Sequence, residues 1–565
     1  MAGSAQYREN VTVVGSYLPL QPLRPVVVWT REDLARLPAK SVSDLLRLVA
    51  GAGLARRGPF GVQADAALAG APFEGVLVLV NGVPVNDPQT GHFHLDLPVP
   101  LEAVEQVEVL LGPASALFGA NAVGGVISIR TRVPERAGEA GAGRHSLTQV
   151  RLAVPVTPAL GLFGERMESS GFRPDSDFHA SQGGLVWRST SGGWDLGGSV
   201  AFGQKQFGAW TFYSSRFPHQ RERTSVALAT FSGNSQLAPG LNLSVRAGAR
   251  QHRDTYLLDK HRPDWYRNRH RTRQGYGALV LQGNSTWGDW AIGFDGERQL
   301  IASSRLGYHA RNRLGIFGEA ARRWGILAAH AQLRQDFHSD ARSFTPALAL
   351  TLAPSPRWEL GLGASSSFRL PSFTELYYTS PASVGNPGLA PERARTYEAT
   401  ARWTGNSASV LVTLFQRRAK DLVDWVGTET GVYQAQNHAR ATTWGAVLDA
   451  RFPSPFLVRM SAAYLHSRIA VDPGRSAYAL THPTWELASV AALPLGSLEF
   501  GPALTYRKPQ GRAGFALADL ALRWPQSGPW QLELSVANLA DRRYQEVPGV
   551  PQPGRWWLAS FRWRP

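Results

Sequence analysis

Two histidines come closest to a recognisable piece of binding chemistry. His92 and His94 are separated by a single phenylalanine, Phe93. On an extended segment, residues spaced i and i+2 point to the same side, where two imidazoles could bind a metal ion. No third ligand is evident beside them, so we predict no metal site.

Catalytic chemistry is not indicated by any other residues. The chain contains no cysteine, which excludes disulfides, thiolate zinc sites, iron–sulfur clusters and cysteine nucleophiles. Serine, histidine and aspartate occur, but not in a nucleophile elbow or a triad context. We therefore predict that the protein is not an enzyme, with no catalytic residue and no cofactor.

The composition is unusual for a soluble protein. Of the 565 residues, 18% are charged, against about 25% in ordinary soluble domains. The chain also has 57 glycines and 18 tryptophans. This composition is typical of a protein whose outer surface does not face water.

The strongly basic balance raises the alternative of a nucleic-acid-binding protein. The formal net charge is +16, but the basic residues are nearly all arginine and are spread along the chain instead of forming one tract. We predict no nucleic-acid partner. A soluble, arginine-rich nucleic-acid-binding protein would be soluble without detergent, which distinguishes it.

Membrane insertion through helices is not indicated either. The longest apolar runs, such as residues 76–80, have the length of a strand and fall far short of a spanning helix. A membrane-crossing form would therefore be a β-barrel. Residues 1–6 lack the basic start and apolar core of a secretory signal, so either a leader was removed or the protein is not exported.

The first part of the chain has the pattern of a mixed α/β unit. Helical spacing of apolar residues alternates there with short apolar runs, glycine-containing turns and Pro breakers. We predict a segment 1–16, a compact unit 17–133 and a third part 134–565. The predicted elements are a helix over 41–49, strands over 76–80, 83–85, 104–110 and 124–132, and a turn at Asn81-Gly82.

The third part alternates apolar and polar residues for more than 400 residues. A soluble β-sandwich shows the same period of two, so the period alone decides little. The alternation continues without a helical interlude, Trp and Tyr lie near many strand ends, and the polar face is often Arg, Glu or Gln; these features favour a transmembrane barrel. Clear examples are residues 243–250, 397–403 and 532–537.

Four stretches resemble one family. Residues 107–129, VEVLLGPASALFGANAVGGVISI, strongly resemble the plug-domain signature of TonB-dependent outer-membrane receptors. Residues 368–377 with 385–389, and residues 538–544 with 551–555, resemble its mid-barrel and closing-strand patterns. A segment that resembles the TonB box, which pairs as an added strand with the periplasmic TonB protein, comprises Glu9, Asn10, Val11, Thr12, Val13, Val14 and Gly15.

The resemblance implies an all-β transmembrane barrel of 22 antiparallel strands with an N-terminal α/β plug domain inside the lumen. About 430 residues remain for the barrel. With about 10 residues per strand in the membrane, few are left for connections. We therefore expect a compact barrel with several short extracellular loops, in the bacterial outer membrane.

Within the family, residues 63–65, 73–74, 81–92, 207–209 and 212–214 look most like receptors grouped with the vitamin B12 transporters. In related receptors, the plug loops that face outward touch the ligand. Each matching residue here could instead serve only to pack the plug against the barrel wall. A histidine typical of haem receptors is missing between Phe368 and Leu389. The resemblance implies as ligand contacts Arg56, Arg57, Phe60, Gln63, Asp87, Gln89, Thr90, His92, Phe93 and His94.

The predicted function is therefore TonB-dependent import of a scarce nutrient, most of all cobalamin or a related corrinoid. The alternatives are a ferric-siderophore receptor of the same fold, and an adhesion or phage-binding surface without transport. The predicted partners are TonB, outer-membrane lipids, lipopolysaccharide and the cargo, with the protein as a monomer. Residues 260–273 are predicted to form a basic aromatic extracellular loop, which either attracts anionic cargo or lipopolysaccharide phosphate or is simply a solvated loop.

One departure from the family pattern concerns plug anchoring. Relatives usually carry an Arg-Gly pair where this chain has Leu68-Ala69-Gly70. We expect the salt bridge made by that arginine to be absent.

Overall fold

A computed structural model describes residues 15–213, 216–339, 341–380, 383–427, 431–452, 457–470 and 482–565. Among these residues, no helix combines the length and the apolar character needed to cross a bilayer. Six of the seven residues of the TonB-box-like segment, Glu9 to Val14, lie outside the described part. Gly15 is described, and its carbonyl oxygen accepts a hydrogen bond from Gln332 Nε2 at 3.1 Å.

The N-terminal unit is a small mixed sheet with short helices. Five strands pair in the order β1-β6-β7-β4-β5, and β4 and β7 run parallel, while β2 and β3 form a separate hairpin. The bounds are β1 Val26–Thr30, α1 Arg31–Arg36, α2 Val42–Leu46, β2 Ala52–Arg56, β3 Ala64–Leu68, β4 Val76–Val80, β5 Val83–Pro84, β6 Val104–Leu111, α3 Ser115–Phe118 and β7 Gly125–Thr131.

Local sequence signals account for most of these elements. Asn81 and Gly82 both have positive φ, 53° and 77°, as the two-residue turn between β4 and β5 requires. The predicted helix over 41–49 begins at the N-cap Ser41 but ends at Leu46. It is shorter than predicted because the amides of Leu48 and Val49 bond three residues back and tighten the chain into turns.

The remainder closes into a barrel. Among the described residues, 22 antiparallel strands form the wall, as predicted, and the short β21 pairs parallel with β24. The bounds are β8 Ala137–Gly143, β9 Leu147–Thr157, β10 Leu160–Ser169, β11 Phe178–Ser191, β12 Trp194–Gly208, β13 Arg221–Ala238, β14 Leu241–Leu257, β15 Arg267–Ser285, β16 Gly288–Ser303, β17 Gly307–Trp324, β18 Leu327–His338, β19 Ala341–Ser355, β20 Trp358–Arg369, β21 Ser383–Val384, β22 Glu392–Thr404, β23 Ser409–Gly427, β24 Tyr433–Phe452, β25 Leu457–Ile469, β26 Pro483–Leu495, β27 Leu498–Pro509, β28 Phe515–Trp524, β29 Trp530–Ala537 and β30 Trp556–Trp563.

The period of two separates a lipid face from a lumen face. On β9, the side chains of Val150, Leu152 and Val154 are exposed, whereas Gln149 and Arg151 are buried inside. An outward apolar band around a polar interior is the arrangement of a membrane barrel. The last strand, β30, shows the same division, since Trp557, Phe561 and Trp563 are all exposed.

The two ends of the barrel differ. At one end, tight turns join the strands, as at 192–193 and 239–240, and both β8 and β30 have a terminus there. Short turns mark the periplasmic end. The other end carries the extracellular loops, several of which are short, as expected, and two of which are long: 370–391, which contains α4 Phe373–Tyr377, and 538–555.

The extracellular loop predicted over 260–273 is only partly a loop. Residues 258–266 connect β14 to β15, but Arg267 to Arg273 already belong to β15. Alternation of arginines with Asn268, His270 and Thr272 is a strand pattern, and these three alternate residues are buried. The many basic residues led us to expect a loop, although the alternation of buried and exposed residues is that of a strand.

Candidate ligand site at the plug apex

Two plug loops, residues 57–63 and 87–94, lie at the extracellular side of the plug, and the wall holds the second one in place. The amides of Phe373 and Thr374, in the first turn of α4, donate to the carbonyl oxygens of Pro88 and Gln89 at 2.9 and 3.0 Å. Backbone bonds of this kind fix the position of the loop regardless of its side chains. The family-like block at 368–377 is thus a support for the plug apex.

The helix α4 is itself firmly held. Ser372 and Glu375 form a capping box at its start, which satisfies free amides of the first turn. Arg369 bonds Glu375 at 2.8 Å and Glu392 at 2.6 Å, all three being buried. The support of the plug loop is therefore rigid.

Arg56 binds the extracellular loop 538–555. Its Nη2 lies 2.6 Å from Glu546 Oε1 and 3.1 Å from the hydroxyl of Tyr544, and its amide donates to Glu546 at 2.8 Å. Burial lowers the pKa of Arg56, but the charges of Glu546 and Tyr544 more than offset this and raise it above its ordinary value. The guanidinium is a plug-to-loop anchor in this conformation.

Arg57 and His92 both bind Asp65 on β3. Arg57 forms a buried ion pair with Asp65, and His92 Nδ1 lies 2.9 Å from Asp65 Oδ1. Burial raises the pKa of Asp65, but the charges of Arg57 and His92 outweigh it and hold the pKa below its usual value. The His92 ring also stacks on Phe73 at 4.9 Å.

Asp87 is the counterpart of Arg56 on the second plug loop. It pairs with Arg250 of β14 and accepts a hydrogen bond from Thr272 of β15 at 3.0 Å. Phe93 packs against His252 of β14, with 4.5 Å between the ring centroids. These contacts bind the loop to the wall at its buried side.

His94 has a different partner from His92, which binds Asp65. Its Nδ1 lies 3.0 Å from Asn86 Nδ2, so the amide donates and the ring is neutral at that nitrogen. Burial lowers the pKa of His94 to about 4. The expectation that the two histidines share one face is wrong, because Gly91–Phe93 is a 3-10 turn and not an extended segment.

Phe60 and Gln63, together with His92 and Phe93, line a small cavity of about 80 Å³ just beneath the apex, called here the outer cavity. Gln63 Nε2 donates to the Tyr213 hydroxyl at 2.8 Å, and its Oε1 is buried without a described partner. Phe60 packs edge-on against Trp556 at 5.6 Å. Phe60, Thr90 and His92 keep part of their surface accessible, whereas Gln89 is buried.

The geometry brings the ten predicted residues to one region but gives them different surroundings. Arg56, Arg57, Asp87 and His94 are buried among plug and wall partners; contact with a ligand remains a prediction for all ten. Sequence reasoning missed the wall partners Glu546, Tyr544, Arg250 and Tyr213. Only Tyr544 and Tyr213 lay in stretches with a family resemblance, and residue spacing held no signal for the other two.

The expected loss of a plug salt bridge at 68–70 has a visible replacement. Arg417 Nη1 of β23 donates to the carbonyl oxygen of Ala69 at 2.9 Å. Ala69 has a φ of 46°, a left-handed conformation that turns this carbonyl toward the wall. At this point the plug is thus anchored to the wall by a hydrogen bond from a charged guanidinium to a backbone carbonyl oxygen.

A closed 22-stranded barrel whose lumen holds an α/β plug is the architecture of outer-membrane transporters. The family model "TonB dependent receptor-like, beta-barrel" matches residues 151–539, and "TonB-dependent Receptor Plug Domain" matches residues 21–126. The chain belongs to the TonB-dependent receptor family. It is an outer-membrane receptor and not an enzyme, and membership implies interaction with TonB and a small-molecule cargo.

Relatives of known name differ in cargo. The chain is 24% identical to the vitamin B12 transporter BtuB of Vibrio vulnificus (strain YJ016), over 96% of this chain and 92% of that protein. The FrpB iron transporter of Neisseria meningitidis has a TM-score of 0.78 at 14% identity, covering 95% and 99% of the two chains. The ferric yersiniabactin receptor FyuA of Yersinia pestis has a TM-score of 0.75 at 16% identity, covering 96% and 97%. These solved structures share the fold alone.

Proposed function

We propose that this receptor imports cobalamin or a related corrinoid in a TonB-dependent manner, acting as a monomer. The observation that carries the cargo proposal is the similarity to a vitamin B12 transporter along nearly the whole chain. The plug apex supports it, since Gln63, Thr90 and His92 offer hydrogen-bonding groups and Phe60 offers an apolar one. Such a surface suits a large ligand rich in amides.

The second candidate is a ferric siderophore. Iron and siderophore receptors are prominent among the solved structures with this fold. Basic groups at the outer face, such as Lys260 and Arg262 in the loop 258–266, favour an anionic chelate or lipopolysaccharide phosphate.

The cargo is tested by titrating the purified, detergent-solubilised protein with cyanocobalamin and following tryptophan fluorescence. We expect saturable binding at or below about micromolar, which corresponds to about −8 kcal/mol. Haem and a ferric siderophore are the comparison ligands. Binding of the ferric chelate without cobalamin binding would replace the corrinoid by a siderophore.

The role of the TonB-box-like segment is tested by deleting residues 9–15. We expect uptake to be abolished while binding at the outer face is unchanged, because strand addition to TonB requires this segment. Val13→Pro removes one backbone donor of the added strand, and Val13→Thr is its matched control. Uptake that survives the deletion in cells with intact TonB would contradict import and favour an adhesion surface.

A further inference from the structure

The plug and the wall enclose a second, larger cavity at the periplasmic end. This inner cavity measures about 500 Å³. Its lining includes residues 16–18, which directly follow the TonB-box-like segment, together with plug residues 81–82 and wall residues of β11 to β15. The outer cavity lies beneath the predicted ligand contacts, on the same side of the plug, against β10 to β13.

A short neck separates the two cavities. On β12, the inner cavity reaches Gly198 and the outer cavity begins at Gly203. The four residues between them, 199–202, span about 13 Å of strand. Only Ser199 and Ala201 of these four face the plug.

Small residues form the wall at this neck. Gly184 of β11 pairs with Ala201 of β12, and a Cβ placed on Gly203 would lie 3.1 Å from Cβ of the plug residue Pro98. The plug therefore approaches the wall closely here without interlocking side chains. A wall of small side chains leaves room once the plug surface moves away.

The contacts described across the neck are mostly weak and uncharged. Asn81 Nδ2 donates to Ser199 Oγ at 3.3 Å and to Thr230 Oγ1 at 2.9 Å. Ala201 and Leu228 belong to the hydrophobic cluster of the plug. The ion pair that joins the plug to β12 is Lys205–Asp96, at 3.0 Å, and both residues line the outer cavity above the neck.

Strands β27 to β30 and β8 hold the plug differently. Lys40 lies 3.2 Å from Glu139 and 2.8 Å from Glu533, both deeply buried. Arg47 pairs with Asp519, also buried. Separating such partners leaves charges unpaired in a low-dielectric interior, so this side of the plug resists displacement far more than the neck does.

The strap formed by residues 15–18 closes the inner cavity. Tyr17 stacks on Phe317 at 5.6 Å, its amide donates to Glu319 at 2.9 Å, and Arg246 donates to its hydroxyl at 3.1 Å. A pull on residues 9–15 reaches this strap before any other part of the plug. Withdrawing Tyr17 would open the inner cavity to the periplasm and release Arg246, which contacts the plug turn at Gly82.

We propose that cargo crosses the barrel along β11 to β13, from the outer cavity through the neck at Ser199 and Ala201 into the inner cavity, while the plug stays bound to β27–β30 and β8. The proposal rests on the TonB-dependent import proposed above. It adds the side of the plug on which the path opens and the residues that line it.

The absence of cysteine from the chain allows a direct test with two matched variants, Ala201→Cys and Ala463→Cys. Both alanines are 1% exposed, belong to the plug's hydrophobic cluster and face the plug, but Ala463 lies on β25. Cells with and without TonB, supplied with cyanocobalamin or a ferric siderophore, are treated with fluorescein maleimide. We expect at least fivefold faster labelling of Ala201→Cys with TonB and cargo, and less than a twofold change for Ala463→Cys.

Equally faster labelling at both positions would mean that the plug leaves as a whole. Faster labelling at neither position, with uptake intact, would mean that the path lies elsewhere. Either result overturns the proposal. A second measurement uses Pro98→Cys with Gly203→Cys. Oxidation of this pair should reduce uptake at least tenfold, with recovery after reduction, while the pair Gly51→Cys with Ala463→Cys should leave uptake within twofold. If the unsubstituted protein took up neither cyanocobalamin nor the ferric siderophore, or took one up without TonB, the proposed import itself would be contradicted.

Discussion

At the residue scale, charge satisfaction explains the surroundings of the predicted ligand contacts. Arg56 and Glu546 are separated by 490 positions and meet in the interior, where the guanidinium also bonds Tyr544. A buried charge without its partner is strongly unfavourable. The pair therefore holds the extracellular loop 538–555 on the plug.

Replacing Glu546 by Gln should weaken this anchor substantially. We expect the free energy of unfolding to fall by about 3 kcal/mol, because Arg56 stays buried and, of its two described carboxylate partners, keeps only the more distant Asp44 at 3.9 Å. Thermal or denaturant unfolding of the detergent-solubilised protein measures the loss. The control is Glu168→Gln at the exposed Arg166–Glu168 pair, where solvent screening should make the loss far smaller; equal losses would contradict the anchor.

His94 should make stability sensitive to acid. Its folded-state pKa is about 4, below the value of about 6.5 in an unfolded chain. Between these two values the folded protein binds fewer protons than the unfolded chain. The stability contributed by neutral His94 is therefore complete above about pH 6.5 and is lost as the pH falls toward 4. The full difference is at most about 3 kcal/mol.

Unfolding measured at pH 7.5 and pH 5 checks this effect. His94→Gln should lose part of the acid sensitivity of the parent protein, since the amide does not titrate. The exposed His179 provides a matched substitution, His179→Gln, which should behave like the parent. An unchanged pH dependence in His94→Gln would exclude this histidine as its source.

At the element scale, short local sequence signals predicted correctly those elements whose backbone hydrogen bonds are made within a turn or between neighbouring strands of the plug. The turn Asn81-Gly82 and the strands β4, β6 and β7 are confirmed within one or two residues. The 3-10 turn Gly91–Phe93 was missed, because it depends on contacts from outside: α4 binds the preceding Pro88 and Gln89, and His252 of β14 packs on Phe93. The backbone conformation of this part of the plug is therefore set by its surroundings in the lumen and not by the helix or strand propensity of its residues.

The cap of α4 should control the mobility of the plug loop. Ser372→Ala removes the side-chain acceptor for the amide of Glu375, at a cost of about 1 kcal/mol. The amides of Phe373 and Thr374, which bind Pro88 and Gln89, should then exchange their hydrogens about fivefold faster, by mass spectrometry. Ser372→Thr keeps a cap and should exchange at the parental rate; acceleration in both variants would contradict a capping effect.

At the scale of the whole molecule, the bilayer dictates the outer surface. Exposed tryptophans such as Trp287, Trp324 and Trp358 lie at the turn end of the barrel, where a membrane interface favours amphipathic rings. Lipid offers no hydrogen bonds, so the sheet must close on itself. The same closure forces β8 and β30 together.

Depth in the membrane should set the effect of a charge on this surface. Leu333 and Leu327 of β18 are both exposed on the lipid face, about 20 Å apart along the strand. Leu333→Arg, near the midplane, should destabilise the barrel by about 2 to 4 kcal/mol, and Leu327→Arg, at the turn end, by about 1 kcal/mol or less. Refolding titrations into lipid vesicles compare them, and similar losses would show that the placement of the bilayer is wrong.

The strand alternation was sufficient to predict a membrane barrel, and the resemblance of residues 107–129 to the plug signature supplied the family and, with it, the plug and the count of 22 strands. These are properties of neighbouring residues or of a contiguous motif, and closure in lipid leaves few other arrangements for them. The partners Glu546 for Arg56 and Arg250 for Asp87, and the cavities on the β11–β13 side, were decided only by the tertiary structure. Such contacts depend on which wall strand faces which side of the plug, a relation between residues hundreds of positions apart that no local pattern records.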